Sequence, residues 1–132
     1  MASFSDKERA FFTAPNIVHL ATVGADGGPN VSAVWVDIDG DDLLVNTAEG
    51  RTKADDLHRD SRVAISVVNP ENAYEQVWLR GQVVEVTSEG ADAHINKMAK
   101  KYLGQDVYPF SAPGEVRVMA RIRPTQIKSL FM

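Results

Sequence analysis

Residues 43–66 read LLVNTAEGRTKADDLHRDSRVAIS. They read as one strand, a Gly-Arg-Thr-Lys turn, a short helix and a second strand, and the chain is organised around them. Leu43, Leu44 and Val45 are an apolar run of strand length, carried by Asn46, Thr47 and Ala48 into a turn at Glu49-Gly50. Thr52 stands three residues before Asp55, close to a capping box, which predicts a helix starting at Lys53. Arg51 and Lys53 then flank a helix N-terminus, where unpaired N–H groups carry partial positive charge and each cation costs roughly 0.3–1 kcal/mol. Two readings account for them. Either they pair with Glu49, Asp55 or Asp56 on a solvated surface, or they and the helix amides hold an anion such as phosphate.

On the N-terminal side, Ser5 and Glu8 form a capping box ahead of a short helix that ends before Pro15 and sits as a lid on a barrel end. Residues 17–23 are a β-branched run, residues 24–29 a Gly-rich hairpin turn, and residues 31–38 the return strand. In that strand Val31, Ala33 and Trp35 face one way and Ser32, Val34, Val36 and Ile38 the other. With a turn at residues 39–42, the first three strands read as an antiparallel meander.

On the C-terminal side, residues 62–68 form a strand stopped by Asn69-Pro70, and residues 76–87 a long strand in which Gly81 marks a bulge or bend. Ser88 opens a helix through Leu103, with Ile95, Met98, Ala99 and Tyr102 on one face, Lys97, Lys100 and Lys101 on the other, and Gly104 as its stop. An aromatic, Pro-containing loop follows (Tyr108, Pro109, Phe110, Pro113), then strands over 116–123 and 127–131 parted by Pro124. Six to seven antiparallel strands with few helices predict a mainly β fold, a small closed or nearly closed β-barrel with flanking helices. One domain spanning residues 1–132 is the expected organisation.

Composition narrows the function. A net charge of −4 over 132 residues, with no contiguous basic face, argues against a nucleic-acid partner. The absence of cysteine removes disulfides, thiolate catalysis and Cys-based zinc sites. No apolar run reaches the roughly 18 residues of a membrane span, and MASFSDKERAFF lacks the apolar centre of a signal peptide. A cytoplasmic protein without a membrane partner is the simplest expectation. His19, His58 and His94 have no paired spacing, so no metal site is expected: His19 reads as a strand residue bonded internally, His58 and His94 as surface residues. No nucleophile elbow, Walker sequence or dinucleotide fingerprint occurs. The acidic pairs Asp41-Asp42 and Asp55-Asp56 read as solvated rather than as acid–base groups.

Gly50-Arg51-Thr52-Lys53 followed by Asp56-Leu57-His58-Arg59-Asp60-Ser61-Arg62-Val63 resembles the pyridoxamine 5′-phosphate oxidase-like split-barrel flavoproteins, and most of all their branch of oxidoreductases that use the deazaflavin coenzyme F420. Pro29-Asn30-Val31-Ser32, Leu79-Arg80-Gly81-Gln82-Val83, Lys101-Tyr102-Leu103-Gly104 and Arg121-Ile122-Arg123-Pro124-Thr125 support the likeness along the chain. Asp56 and Ser61 depart from it, standing where this branch often has Asn and Pro.

The resemblance implies an FMN-binding-like split barrel, a homodimer with two cofactor clefts at the subunit interface, and a small-molecule substrate. It implies that Arg51 and Lys53 hold the cofactor phosphate, and that Asn30, Ser32, Val34, Asn46 and Thr47 contact the ribityl chain and ring. Trp78, Tyr74 and Tyr108 are the candidates for contacts from the second protomer. The implied reaction is hydride transfer from reduced deazaflavin to an activated double bond, with Lys97, Lys100 and Lys101 as a candidate track for the coenzyme's anionic tail. FMN is the alternative cofactor, and an FMN-dependent oxidase or a non-catalytic flavin or tetrapyrrole binder are the alternative functions.

Overall fold

A computed structural model describes residues 2–132. Ser5 caps the first helix, α1 (Asp6–Thr13), by accepting from the Glu8 amide while the Glu8 carboxylate accepts from the Ser5 amide. The strands are β1 (Val18–Val23), β2 (Pro29–Val34), β3 (Asp37–Asp39), β4 (Asp42–Ala48), β5 (Arg62–Asn69), β6 (Asn72–Thr87) and β7 (Arg117–Leu130). Helix α2 (Thr52–Arg59) separates β4 from β5, and α3 (Ala91–Leu103) separates β6 from β7.

All seven strands share one antiparallel sheet in the order β2-β1-β5-β6-β7-β4-β3. This corrects the meander: β1 pairs β2 and β3 pairs β4, but β2 and β4 do not pair. The edge strands are nevertheless consecutive in sequence, joined only by Trp35 and Val36. In a flat sheet of seven strands the edges would stand ~28 Å apart, whereas three residue steps reach ~10 Å. The sheet must therefore curl into a barrel wall. It does not close, because no ladder joins β2 to β3.

The same seam explains why the expected strand over 31–38 breaks at Trp35. Val36 finds its backbone partners on α3 instead of on a strand. Its amide donates to the Tyr102 hydroxyl (3.0 Å), and its carbonyl accepts from Lys101 Nζ (2.7 Å). Lys101 also donates to Phe12 O, and the Tyr102 hydroxyl to Asn16 O. The end of α3 thus seals the gap that hydrogen bonding leaves open.

Three boundaries move for local reasons. Helix α2 starts at Thr52, with Arg51 at the N-cap position and no capping side chain. Helix α3 starts at Ala91, not Ser88, behind Gly90, whose φ of 77° only glycine adopts cheaply. The two last strands are one, since Pro124 lies beyond the stretch of β7 that pairs β4 and opposite Gly81, where the β6–β7 register shifts. A missing N–H is tolerated on a side without a neighbour. Gly81 itself is required: a Cβ there would come within 2.9 Å of Arg123 O and Ile122 Cγ2. The barrel interior is filled by Phe12, Leu20, Leu43, Val45, Ile65, Val67, Val77 and Ile122, all 2% exposed or less. No described helix is long and apolar enough to cross a membrane.

Candidate functional site

The β4–α2 turn carries Arg51 and Lys53 to the mouth of a cavity of about 380 Å³ between β4, β7, α3 and the chain around Trp35. Val34, Asn46, Thr47, Arg51 and Lys53 all line it. Asn30 and Ser32 line an adjoining hollow on the far side of Lys53, which is common to both. Trp78 lies elsewhere, in a groove on the sheet with His19, Val31 and Arg80. Tyr74 is exposed near the β5–β6 turn, and Tyr108 lines the cavity of its own chain.

The cationic rim is not neutralised as a solvated surface would be. Arg51 Nη2 reaches Glu115 Oε1 at 3.3 Å, not Glu49, Asp55 or Asp56. Among the described residues no carboxylate pairs with Lys53, and burial with the neighbouring Arg51 and Arg117 charges lowers its pKa. An anion would relieve that repulsion. On the cavity wall Thr47 is 2% exposed, and among the described residues its hydroxyl oxygen, like Glu115 Oε2, is buried without a hydrogen-bond partner.

Aromatic rings form the opposite wall. Trp35 stacks on Tyr102 with centroids 5.1 Å apart, and Tyr108 meets Trp35 and Phe110 edge-on. Ile95 and Met98 of α3 extend this apolar side. A planar ring system with an anionic substituent matches such a cavity.

Arg117, absent from the expected site, is buried beneath the rim. Its Nε donates to Asn46 Oδ1 (2.9 Å), its Nη1 to Glu115 Oε1 (3.2 Å), and its guanidinium lies 5.1 Å from the Tyr108 ring centroid. Alternating with Val118 and Ala120, and in line with Arg121 and Arg123, it reads in sequence as a solvated strand residue. Burial comes only from the loop and helix folded over it.

Asn46 is oriented by this contact. Arg117 can only donate, so Asn46 turns its amide nitrogen to Ala91 O and His94 Nδ1 (2.8 and 3.1 Å). His94 Nδ1 is therefore the acceptor, and Nε2–H donates to Asp37 Oδ2 at 3.1 Å. This corrects the surface reading of His94, which is 8% exposed; its spacing with Ala91, Ile95 and Met98 places it on the inner face of α3. His19 also differs: it is exposed and lines the outer groove. His58 is a surface residue paired with Glu49 at 2.8 Å.

Asp56 overturns its solvated reading too. It is 1% exposed and accepts from Thr22 Oγ1 (2.7 Å), Asn30 Nδ2 (2.9 Å) and Arg59 (3.2 Å), tying α2 to β1 and β2. The hydrogen bond from Asn30, with that from Thr22 and the Arg59 charge, outweighs burial, which by itself would raise the pKa, and leaves Asp56 below the usual carboxylate range. The α3 lysines do not reach the cavity as a basic track: Lys97 donates to Asp37, Lys100 to Asp106, and Lys101 to the seam.

Set beside known proteins, residues 4–131 match the family described as pyridoxamine 5′-phosphate oxidase. A solved F420 reductase is 29% identical with a TM-score of 0.83, over 95% of this chain and 98% of that one. A conserved hypothetical protein of Mycobacterium tuberculosis (23% identity, TM-score 0.73, 96% and 84% coverage) shares the fold. So does HupZ of Group A Streptococcus, at 19% identity, TM-score 0.69 and 96% and 98% coverage. No protein of curated function matches. The curled seven-stranded sheet and the match over residues 4–131 lead to one conclusion: the chain belongs to the pyridoxamine 5′-phosphate oxidase family.

Proposed function

We propose that this protein is a coenzyme F420-dependent reductase, working as a homodimer on a small molecule with an activated double bond such as a conjugated carbonyl. The observation that carries the reading is Lys53, unpaired with any described carboxylate beside Arg51 and Arg117 at the start of α2, on the rim of an aromatic-walled cavity. The F420 reductase of similar structure favours the deazaflavin.

When bound, the reduced deazaflavin supplies a hydride from its C5. The chain's own work is binding and orientation. Arg51 and Lys53 hold the phosphate with the first amides of α2. Asn30, Ser32 and Val34 line the ribityl path, and Asn46 and the free Thr47 hydroxyl bind along the wall. Trp35, Tyr108 and Phe110 keep water from the reacting face, and Trp78 of the partner subunit completes the cleft. Protonation of the product falls to solvent or Tyr108, since Tyr102 is committed to the seam.

FMN is the second reading. It is favoured by the engagement of Lys97, Lys100 and Lys101, which leaves the cavity without a basic track for an anionic tail. Equilibrium binding of coenzyme F420 and of FMN, followed by fluorescence quenching with Lys53→Ala as control, separates them. Micromolar F420 binding weakened about tenfold or more by the substitution, as for a lost charged contact of ~1.5–3 kcal/mol, is the expected result. Tight FMN with weak F420 moves the protein to flavin chemistry. Binding without turnover across a panel of conjugated carbonyls makes it a binding protein, and no binding of either overturns the reading.

A further inference from the structure

Resting on the proposed function, we infer that Arg117 is a third anion-binding residue of the cavity and that Glu115 sets the charge its ligand must carry. Arg51, Lys53 and Arg117 bring three positive charges to the α2 rim, and all three line the cavity. Glu115 brings one negative charge, its Oε1 accepting from both Arg51 and Arg117. Two positive charges remain. The part of the ligand held there therefore carries two negative charges, as a phosphomonoester dianion does, or a phosphodiester with a second anionic group close by. A neutral group would leave two positive charges beside Lys53 without a counter-charge, and a singly charged group would leave one.

Arg117 is built to stay in place. Being 5% exposed, it is fixed at Nε by Asn46, at Nη1 by Glu115 and over the ring of Tyr108. Asn46 is in turn held by Ala91 O and by His94, which Asp37 anchors. Among the described residues its Nη2 has no hydrogen-bond partner, although the other two guanidinium nitrogens do. A buried guanidinium braced on two sides with its third nitrogen free is a preformed donor that costs little ordering on binding.

The test compares ligands with and without the anionic part: FMN with riboflavin, which differ only in the phosphate, and coenzyme F420 with its deazaflavin core, which lacks the phosphodiester and the tail beyond it. The ratio of dissociation constants within each pair measures what the anionic group contributes, independently of ring binding. Arg117→Gln is expected to reduce that ratio about tenfold or more, any loss through Asn46 and Tyr108 positioning falling on both members of a pair alike. Arg117→Lys is expected to restore part of the ratio, and Glu115→Gln to raise it several-fold for a dianion. If Arg117→Gln weakens both members of a pair equally, Arg117 is structural and the inference fails. If Arg117→Gln does not fold, an unchanged ratio in Glu115→Gln overturns the inference by itself. Should the wild-type protein bind neither pair, it is the proposed function that fails, whereas loss of the ratio in Lys53→Ala but not in the Arg117 and Glu115 variants defeats only this inference.

Discussion

Asp56 holds three donors with one carboxylate, and its partners come from β1, β2 and its own helix. Asp56→Ala strands the buried Thr22 hydroxyl and the Asn30 amide and frees Arg59, so a loss of ~2–4 kcal/mol in urea denaturation is expected. Asp56→Asn keeps an oxygen for Thr22 and Asn30 and gives up the ion pair with the half-exposed Arg59. About 1 kcal/mol is its expected cost. Equal losses for the two substitutions would show that volume, not hydrogen bonding, makes Asp56 matter. This role was hidden in the sequence, where Asp55-Asp56 reads as a polar pair, because its partners lie 34 and 26 residues away. Arg51 and Lys53 were legible because their awkward position at a helix start is a local property. Arg117 was not, because its burial is made by elements folded over it.

The same division holds for the elements. Apolar alternation placed the strands and helical spacing the inner face of α3, both being periodic signals. The break at Trp35 has no such signal, since it exists because α3 satisfies Val36. That docking has a second pin: Asp37 of β3, 7% exposed, accepts from His94 and Lys97 of α3. Burial alone would raise the Asp37 pKa, but the His94 and Lys97 contacts and the Ile38 amide outweigh it and hold it at about 2. A carboxylate depressed from 3.8 to about 2 contributes stability above pH 4 that disappears as pH falls toward 2. The shift corresponds to roughly 2 kcal/mol. Asp37→Asn is accordingly expected to be less stable than the wild type by about that amount at pH 7, with the gap narrowing through the pH 4 to 2 window. Urea titrations at pH 7, 4 and 2.5 measure this, and a gap that does not change with pH would remove the ion pair as its cause.

At the scale of the molecule, the unclosed sheet leaves an outer face that one chain does not cover. A groove of about 350 Å³ there is walled by His19, Ala21, Val31, Ala64, Trp78 and Arg80, with Val31 69% and Trp78 38% exposed. Large apolar side chains gathered on a sheet next to an edge strand invite either aggregation or a partner. A second copy related by a two-fold axis would bury them symmetrically if each groove faced the Lys53 side of the partner, which adjoins the groove through Val31, so that the same patch serves both subunits. This supports the homodimer proposed above and gives Trp78, remote from the cavity of its own chain, a reason to be aromatic. Sedimentation is expected to give twice the 14.5 kDa of one chain at micromolar concentration. Trp78→Glu places a charge in the centre of the contact, where an unpaired buried carboxylate costs several kcal/mol, so the variant is expected to sediment as a folded monomer. Because the proposed cleft needs both subunits, its cofactor affinity should fall together with dimerisation although every residue around Lys53 is intact. A wild-type monomer at tens of micromolar would defeat the dimer. A monomeric Trp78→Glu that keeps full affinity would keep the dimer but confine the cofactor site to one chain.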